Sequence, residues 1–399
     1  MSDPRVIVGG KAPDLPLAVV VGLCAHGLAV TRSLARQGIP VLALEEDKTL
    51  PGTATRVARV ETLGTTKGVG LVATLKTLAD SLESNSPPVL FLTNDRMVRT
   101  VGEHWEELSR RYRLSWSHCR EQVLHLIDKQ HLESHCLRSG LAYPRTVIFD
   151  GSNFADISGV VGAYPALVKP SQPLGTFKAV SVDDETGLRR LGEQHRSSLP
   201  FLVQHLIPGA DETLKVAAFM MHHGRVIEAF EGRKLRSQPP CRGQTSVMQR
   251  YPDERVRAAG EAFFAGLDIS GPVSVEFKES PEGTLFVIEP TVGRTDYFVD
   301  ACVANGCDLP VLEYSAITGC AVPSRTAPIL PRIWCDTERD RASFARTLIN
   351  VRRTGLGWLP LFPYLSLRDP YPFAKACRNY LHMLPGRLRS RVRGLRTIT

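Results

Sequence analysis

The stretch 272-PVSVEFK-278, 279-ESPEG-283, 284-TLFVIE-289, continued by Pro290 and Thr291, decides the fold. Apolar residues alternate with others on both sides of a Ser-Pro-Glu-Gly break, the pattern of two strands joined by a short turn. Glu276 and Glu289 stand thirteen positions apart inside these apolar runs. An unpaired carboxylate in such a strand costs free energy, so two acids must find partners at once. A hairpin carries both side chains to one place. Two carboxylates at the ends of facing strands, with phosphate ligands nearby, make a Mg²⁺ site. Salt bridges to Arg233, Arg236 or Arg294 are the alternative reading.

Upstream, two lysines stand at element ends. Lys129, in LIDKQHL, is placed at a helix start, and Lys169, in ALVKPSQPLG, closes an apolar strand. The Ser/Pro/Gly loop at 171–176 can fold backbone N–H groups over phosphates. Taken singly, either lysine reads equally as a surface side chain with a buried stem. Between them and the hairpin lies 203-VQHLIPGADE-212, a strand, a Pro-Gly turn and two carboxylates. Main-chain groups of Gln204, His205 and Leu206 suit an adenine edge, and Asp211 or Glu212 suits ribose hydroxyls. A strand followed by a solvated acidic pair is the plain alternative.

The run LAVVV at 17–21, glycines 22 and 27, a helical pattern to Gly38 and the strand IPVLAL at 39–44 form a right-handed βαβ unit with parallel strands. GLCAHG is not the GxGxxG of a dinucleotide fold, so a tight turn within a scaffold, or part of a substrate cleft, is preferred there. A lone histidine, His26, beside that turn reads as structural. A further strand at 88–92 leads into Thr93-Asn94-Asp95. Residues 1–115 are therefore expected to form a small open α/β domain, 116–325 a mostly antiparallel α+β region, and 326–399 an extension with a basic tail. Within the second region a helix is expected over 119–140, strands near 144–149, 164–169, 177–182, 200–205, 213–221 and 225–230, and a helix at 255–266.

The chain has 399 residues, a net charge of +8 and nine cysteines without any CxxC pair. Scattered single cysteines suit reduced thiols and a cytoplasmic enzyme. No apolar run approaches the roughly 20 residues of a membrane span, and the N-terminal residues do not read as a signal peptide. The positive charge favours anionic partners such as nucleotides, but no recognised nucleic-acid module is present. Arg387, Arg389, Arg391, Arg393 and Arg396 surround a short apolar stripe of Leu388, Val392 and Leu395, a pattern suited to peripheral contact with an anionic membrane surface.

In their order and spacing these motifs resemble the ATP-grasp superfamily from about 17 to 325, with carboxylate–amine ligases such as the D-aspartate and D-alanine–D-alanine ligase groups the nearest in pattern. The resemblance implies a preliminary parallel-sheet domain and a two-lobed catalytic region that clamps ATP. It implies phosphate contacts from Lys129 and Lys169, a nucleotide-binding hinge from Gln204 to Asp211 or Glu212, and Mg²⁺ (or Mn²⁺) on Glu276, Glu289 and Thr291. The segment GRKLRSQPP at 232–240 resembles the basic stretch facing the phosphates. Arg233, Lys234, Arg236 and Arg294 are thus candidates to hold the substrate carboxylate or the transferring phosphoryl, with Asp296 and Tyr297 as further substrate contacts. Two positions depart from the family pattern: Thr291 replaces the usual metal-binding Asn, and Gln204 replaces a frequent hinge Glu. The implied reaction joins a carboxylate to an amine, and the basic groups suit an anionic acid: an amino acid or an acidic glycan. A homodimer is compatible with this reading. A nucleotide-binding protein without ligase activity is the alternative, and Thr291 is the residue that raises it.

Overall fold

The computed structural model describes residues 15–82, 86–160, 164–171, 177, 179–241, 243–321, 330–340 and 359–383. The basic tail beyond residue 383 and positions 172–176 of the Ser/Pro/Gly loop lie outside the described residues.

The first sheet contains four parallel strands in the order β3-β2-β1-β4, with β1 at Ala18–Val21, β2 at Val41–Glu45, β3 at Arg59–Thr62 and β4 at Val89–Leu92. β1 has neighbours on both sides and is wholly apolar, as a strand covered on both faces must be. Val19 and Val21 point to one core, and Ala18 and Val20 to another. The turn into the helix Ala25–Arg36 is glycine-dependent: a Cβ on Gly27 would stand 1.8 Å from the Gly22 carbonyl oxygen. Glu45 fills the space before that helix by accepting from the amides of Leu23, Glu46 and Asp47. Of the two readings of this turn, scaffold or substrate cleft, the packing favours the scaffold, since residues 22–27 do not line the cleft described below.

A second sheet has the antiparallel order β5-β8-β6-β7, with β5 at Thr146–Phe149, β6 at Ala166–Pro170, β7 at Val180–Val182 and β8 at Phe201–His205. The helices Phe154–Val160 and Glu185–Gln194 close its apolar face, where Ile157, Leu188 and Leu191 meet Phe149, Val168 and Phe201.

The third sheet is the largest, in the order β13-β12-β9-β10-β11-β14-β15. Its strands are β9 Leu214–His222, β10 Arg225–Gln238, β11 Gln244–Arg250, β12 Gly271–Glu279, β13 Leu285–Val292, β14 Arg332–Cys335 and β15 Leu359–Leu361. β9 is central, and its two-residue period divides it between two cores. Ala217, Phe219 and Met221 meet Phe263 of the helix Glu254–Phe264, while Val216, Ala218 and Met220 share a cluster with Phe298 and Trp334. The hairpin of β12 and β13 forms as the sequence predicts. Glu276 and Glu289 are direct cross-strand partners, with a bulge just after Glu276.

Three expectations are corrected. The helix expected over 119–140 breaks at Asp128, whose carboxylate accepts from the Gln130 amide, giving helices Arg120–Ile127 and Leu132–Arg138 around a short turn. The strand expected at 225–230 runs to Gln238 and pairs along its second half with β11. Beyond residue 330, β14 and β15 extend the large sheet, and the helix Tyr371–Met383 rests on the turn Pro51–Ala54 through Lys375, which donates to Thr53, and on the residues before it through Asn379, which donates to the Thr49 carbonyl. Helices Val299–Ala304 and Leu309–Thr318 then return to cover the parallel sheet, where Val299, Val303, Val311 and Tyr314 complete the core begun by Ala18 and Val20. Among the described residues no helix is long and apolar enough to cross a membrane.

Candidate active site

A cleft of about 870 Å³ lies between the small antiparallel sheet and the large one. Strand ends line it. β6 delivers Lys169, β8 runs out through Gln204 into Leu206–Gly209, β10 delivers Lys234, and β12 and β13 deliver Glu276, Lys278, Glu289 and Thr291. Asp95 enters from the carboxyl end of β4, where ligands gather in parallel sheets.

Like charges directly opposite each other destabilise a strand pair, so Glu276 and Glu289 need cations. Lys129 Nζ donates to Glu289 Oε2 at 2.7 Å, and Lys234 pairs with Glu276 at short range. The partners are therefore lysines, not the arginines considered from the sequence. Lys129, with help from Lys169, holds the Glu289 carboxyl down to about 2, although 47% of its side chain is open to the cleft. Burial pushes the Glu276 carboxyl up, against the pull of Lys234. Lys169 differs from the other two lysines. It is 8% exposed and makes no direct ion pair or hydrogen bond among the described residues, although the charges of Glu289 and Glu276 reach it. Burial, and then the neighbouring Lys129, lower its pKa to about 8. A desolvated ammonium aimed at a cleft calls for an anion.

The metal candidate is best judged by its donors. Glu276, Glu289 and Thr291 all line the cleft, and Asp296 stands beside them. Asp296 accepts from Ser274 Oγ at 2.9 Å, from Thr291 Oγ1 at 3.3 Å and from its neighbour's amide, Tyr297 N–H, at 2.6 Å. Three carboxylates and a hydroxyl form an all-oxygen set, which fits Mg²⁺ or Mn²⁺.

Loop Gly293–Tyr297 is fastened to the parallel domain. Arg294 Nε donates to Asp95 Oδ1 at 2.7 Å. His26 is fully buried, with Nδ1 facing the Thr93 carbonyl at 3.2 Å and Nε2 facing Thr295 Oγ1 at 2.7 Å. A carbonyl only accepts, so Nδ1 carries the proton and Nε2 accepts from the hydroxyl. Burial, followed by Arg294, drives its pKa down to about 3, which keeps the ring neutral. His26 is structural, as expected.

The hinge divides into two parts. Gln204, His205 and Leu206 line the cleft, and Gln204 Nε2 donates to Thr146 Oγ1 at 2.9 Å, which fixes its amide. Asp211 and Glu212 do not line it. The Asp211 carboxylate is consumed by the Ser237 hydroxyl, the Ser237 amide at 3.0 Å and the Cys241 amide at 2.9 Å, while Glu212 is exposed to solvent. Arg233 and Arg236 are also drawn elsewhere. Arg233 stacks over the Tyr251 ring at 4.4 Å, and Arg236 donates to Asp340 at 2.8 Å. Of the four basic candidates, Lys234 and Arg294 are the two in the cleft.

Two residues of the cleft escaped the sequence reading as site residues. Lys278 donates to the carbonyls of Gly209 at 2.7 Å and Ala210 at 2.9 Å, and so pins the hinge. Its signal was the two-residue period, which sets Lys278 on the same face as Glu276. The signal for Asp95 was its place after a parallel strand.

This arrangement, two antiparallel lobes facing across a cleft behind a parallel-sheet domain, is the ATP-grasp fold. Solved structures share it across most of their length. The ADP complex of N5-carboxyaminoimidazole synthetase from Staphylococcus aureus superposes with a TM-score of 0.64 at 13% identity, covering 85% of this chain and 87% of that one. The biotin carboxylase domain of Hydrogenobacter thermophilus 2-oxoglutarate carboxylase, solved with MgADP and bicarbonate, gives 0.60 at 15% identity over 77% and 71%. The L-amino acid ligase of Bacillus licheniformis gives 0.58 at 18% identity over 77% and 75%. By sequence, no family model and no curated protein matches the chain.

Proposed function

We propose that this protein is an ATP-dependent carboxylate–amine ligase. The observation that carries the proposal is the convergence in one cleft of a buried, acceptor-free Lys169 with Lys129, Lys234 and the strand-borne pair Glu276 and Glu289. The fold shared with an amino acid ligase and two carboxylating enzymes agrees with this reading.

Lys169 and Lys129 receive the phosphates of ATP, and the backbone of Gln204, His205 and Leu206 receives the adenine edge. Lys129 can leave Glu289 for phosphate once that carboxylate has another cation to face. Glu276, Glu289 and Asp296, with Thr291, would hold Mg²⁺ or Mn²⁺, which when bound supplies charge neutralisation to the phosphates. Asp296 beside Thr291 provides a carboxylate where the threonine side chain is short, and this favours an active enzyme over a nucleotide-binding protein without catalysis. The substrate carboxylate attacks the γ-phosphorus, ADP leaves, and an amine displaces phosphate from the acyl phosphate. Lys234 and Arg294 are placed to hold the acid and stabilise charge on the transferring group. Their cationic character suits an anionic acid, an amino acid or an acidic glycan unit.

The test is a screen of carboxylates and amines for ADP release, with mass spectrometry of the product. Pair-dependent ADP release and an amide product support the assignment. ATP binding without turnover for any pair would favour the non-catalytic reading.

A further inference from the structure

Away from the cleft, three side chains from distant parts of the chain converge on the surface. His118 follows Trp116, His223 sits in the β9–β10 turn and Asp268 precedes β12. Their ligand-capable atoms all lie within 4.8 Å of one another. His223 Nδ1 is 3.1 Å from Asp268 Oδ1, His118 Nε2 is 3.9 Å from Asp268 Oδ2, and the two imidazole centroids are 4.5 Å apart.

The backbone supports the grouping. His223 and Gly224 form a two-residue hairpin turn with φ of +47° and +72°. Such turns ordinarily take Asn, Asp or Gly at the first position, and a histidine there is strained. The His223 amide donates to Ser270 Oγ at 2.8 Å, and His118 Nε2 lies 3.5 Å from the same hydroxyl. The buried Ser270 thus fixes the turn beside His118.

We propose that His118, His223 and Asp268 form a surface site for a divalent transition metal of the Zn²⁺ class. Two imidazole nitrogens and one carboxylate oxygen make a borderline donor set, suited to Zn²⁺ rather than to the hard, all-oxygen preference of Mg²⁺. Three protein ligands leave a coordination position for water or a small anion, beside a pocket of about 490 Å³ that His118, His223 and Ser270 line. Bound metal would clamp the segment leaving the parallel domain against the rim of the large sheet. The site is separate from the nucleotide cleft, and the proposal stands without the ligase reading.

The full chain, stripped with chelator, is titrated with Zn²⁺ alone by calorimetry, and the Co²⁺ form is examined by absorption. The expected result is one equivalent bound, with affinity lost by roughly 10- to 100-fold or more in His223→Asn and in Asp268→Asn. Asparagine keeps a residue that tolerates the turn, and circular dichroism of the metal-free variants checks their folding. Glu289→Gln, in the cleft, should bind Zn²⁺ as wild type does. Wild-type affinity in both surface variants, loss of Zn²⁺ in Glu289→Gln, or a thiolate charge-transfer band in the Co²⁺ form would each overturn the assignment.

Discussion

Replacing Lys169 with methionine should make the unliganded protein more stable and its grip on ATP weaker. The lysine is buried without an acceptor among the described residues, and its pKa falls from 10.5 to about 8. Above about pH 10.5 the group is neutral in both folded and unfolded chains and contributes nothing. As pH falls from 10.5 to 8, the unfolded chain takes the proton more readily, so stability drops. Below about 8 the whole penalty is present. A gap of about 2.5 pH units at about 1.36 kcal/mol each gives an upper bound of about 3 kcal/mol. Methionine fills similar space without charge and relieves that penalty at pH 7. In the complex it forfeits a charge-assisted hydrogen bond to phosphate, about 1.5–3 kcal/mol, or about 10- to 150-fold in Kd. Urea unfolding at pH 7 and pH 9.5 measures the first effect, and calorimetry with a non-hydrolysable ATP measures the second. The midpoint should rise at pH 7, and the gain should shrink at pH 9.5. A variant less stable than wild type, with unchanged nucleotide affinity, would refute the reasoning.

Glu289→Gln should abolish ADP formation while the far-ultraviolet circular dichroism stays native, because the side chain opens to the cleft rather than to a core; turnover near wild type at limiting Mg²⁺ would remove it from the metal site. Thr291→Asn should lower the Mg²⁺ concentration for half-maximal activity without altering substrate choice, since an amide oxygen reaches further than a hydroxyl; an unaltered Mg²⁺ dependence places the residue outside the coordination shell. Asp211→Ala should cost about 3 kcal/mol in denaturant unfolding, because it orphans two amides and a hydroxyl. Its effect on ATP affinity should be slight, and a large selective loss of affinity would restore Asp211 to the nucleotide site.

The hairpin bearing Glu276 and Glu289 was readable because both strands alternate and the turn between them is short. The parallel domain was readable from its apolar runs and from the glycines that the turn at 22–27 requires. β10 beyond Phe230 was not. Its inward side faces a polar cleft, so Lys234 occupies a place that apolar periodicity would assign to a core residue. β14 and β15 are too short to carry a pattern. In the site, Lys169 and the carboxylate pair were visible as residue types out of keeping with their apolar strands. Asp211 misled because its partners, Ser237 and Cys241, lie 26 and 30 residues away, and no local pattern records a hydrogen bond of that range.

The late return of helices Val299–Ala304 and Leu309–Thr318 to the parallel sheet sets a timetable for synthesis on the ribosome. β4 is complete at Leu92, and Ala29, Val30 and Leu34 of helix Ala25–Arg36 already lie on the sheet face formed by Ala18, Val20, Val89 and Phe91, yet the rest of its cover arrives only when Tyr314 emerges. At roughly 5–20 residues per second this leaves the nascent domain with a half-covered apolar face for about 10–45 s. Through that interval the chain is a natural client for chaperones, and a slowed or truncated message would release an N-terminal fragment prone to aggregate.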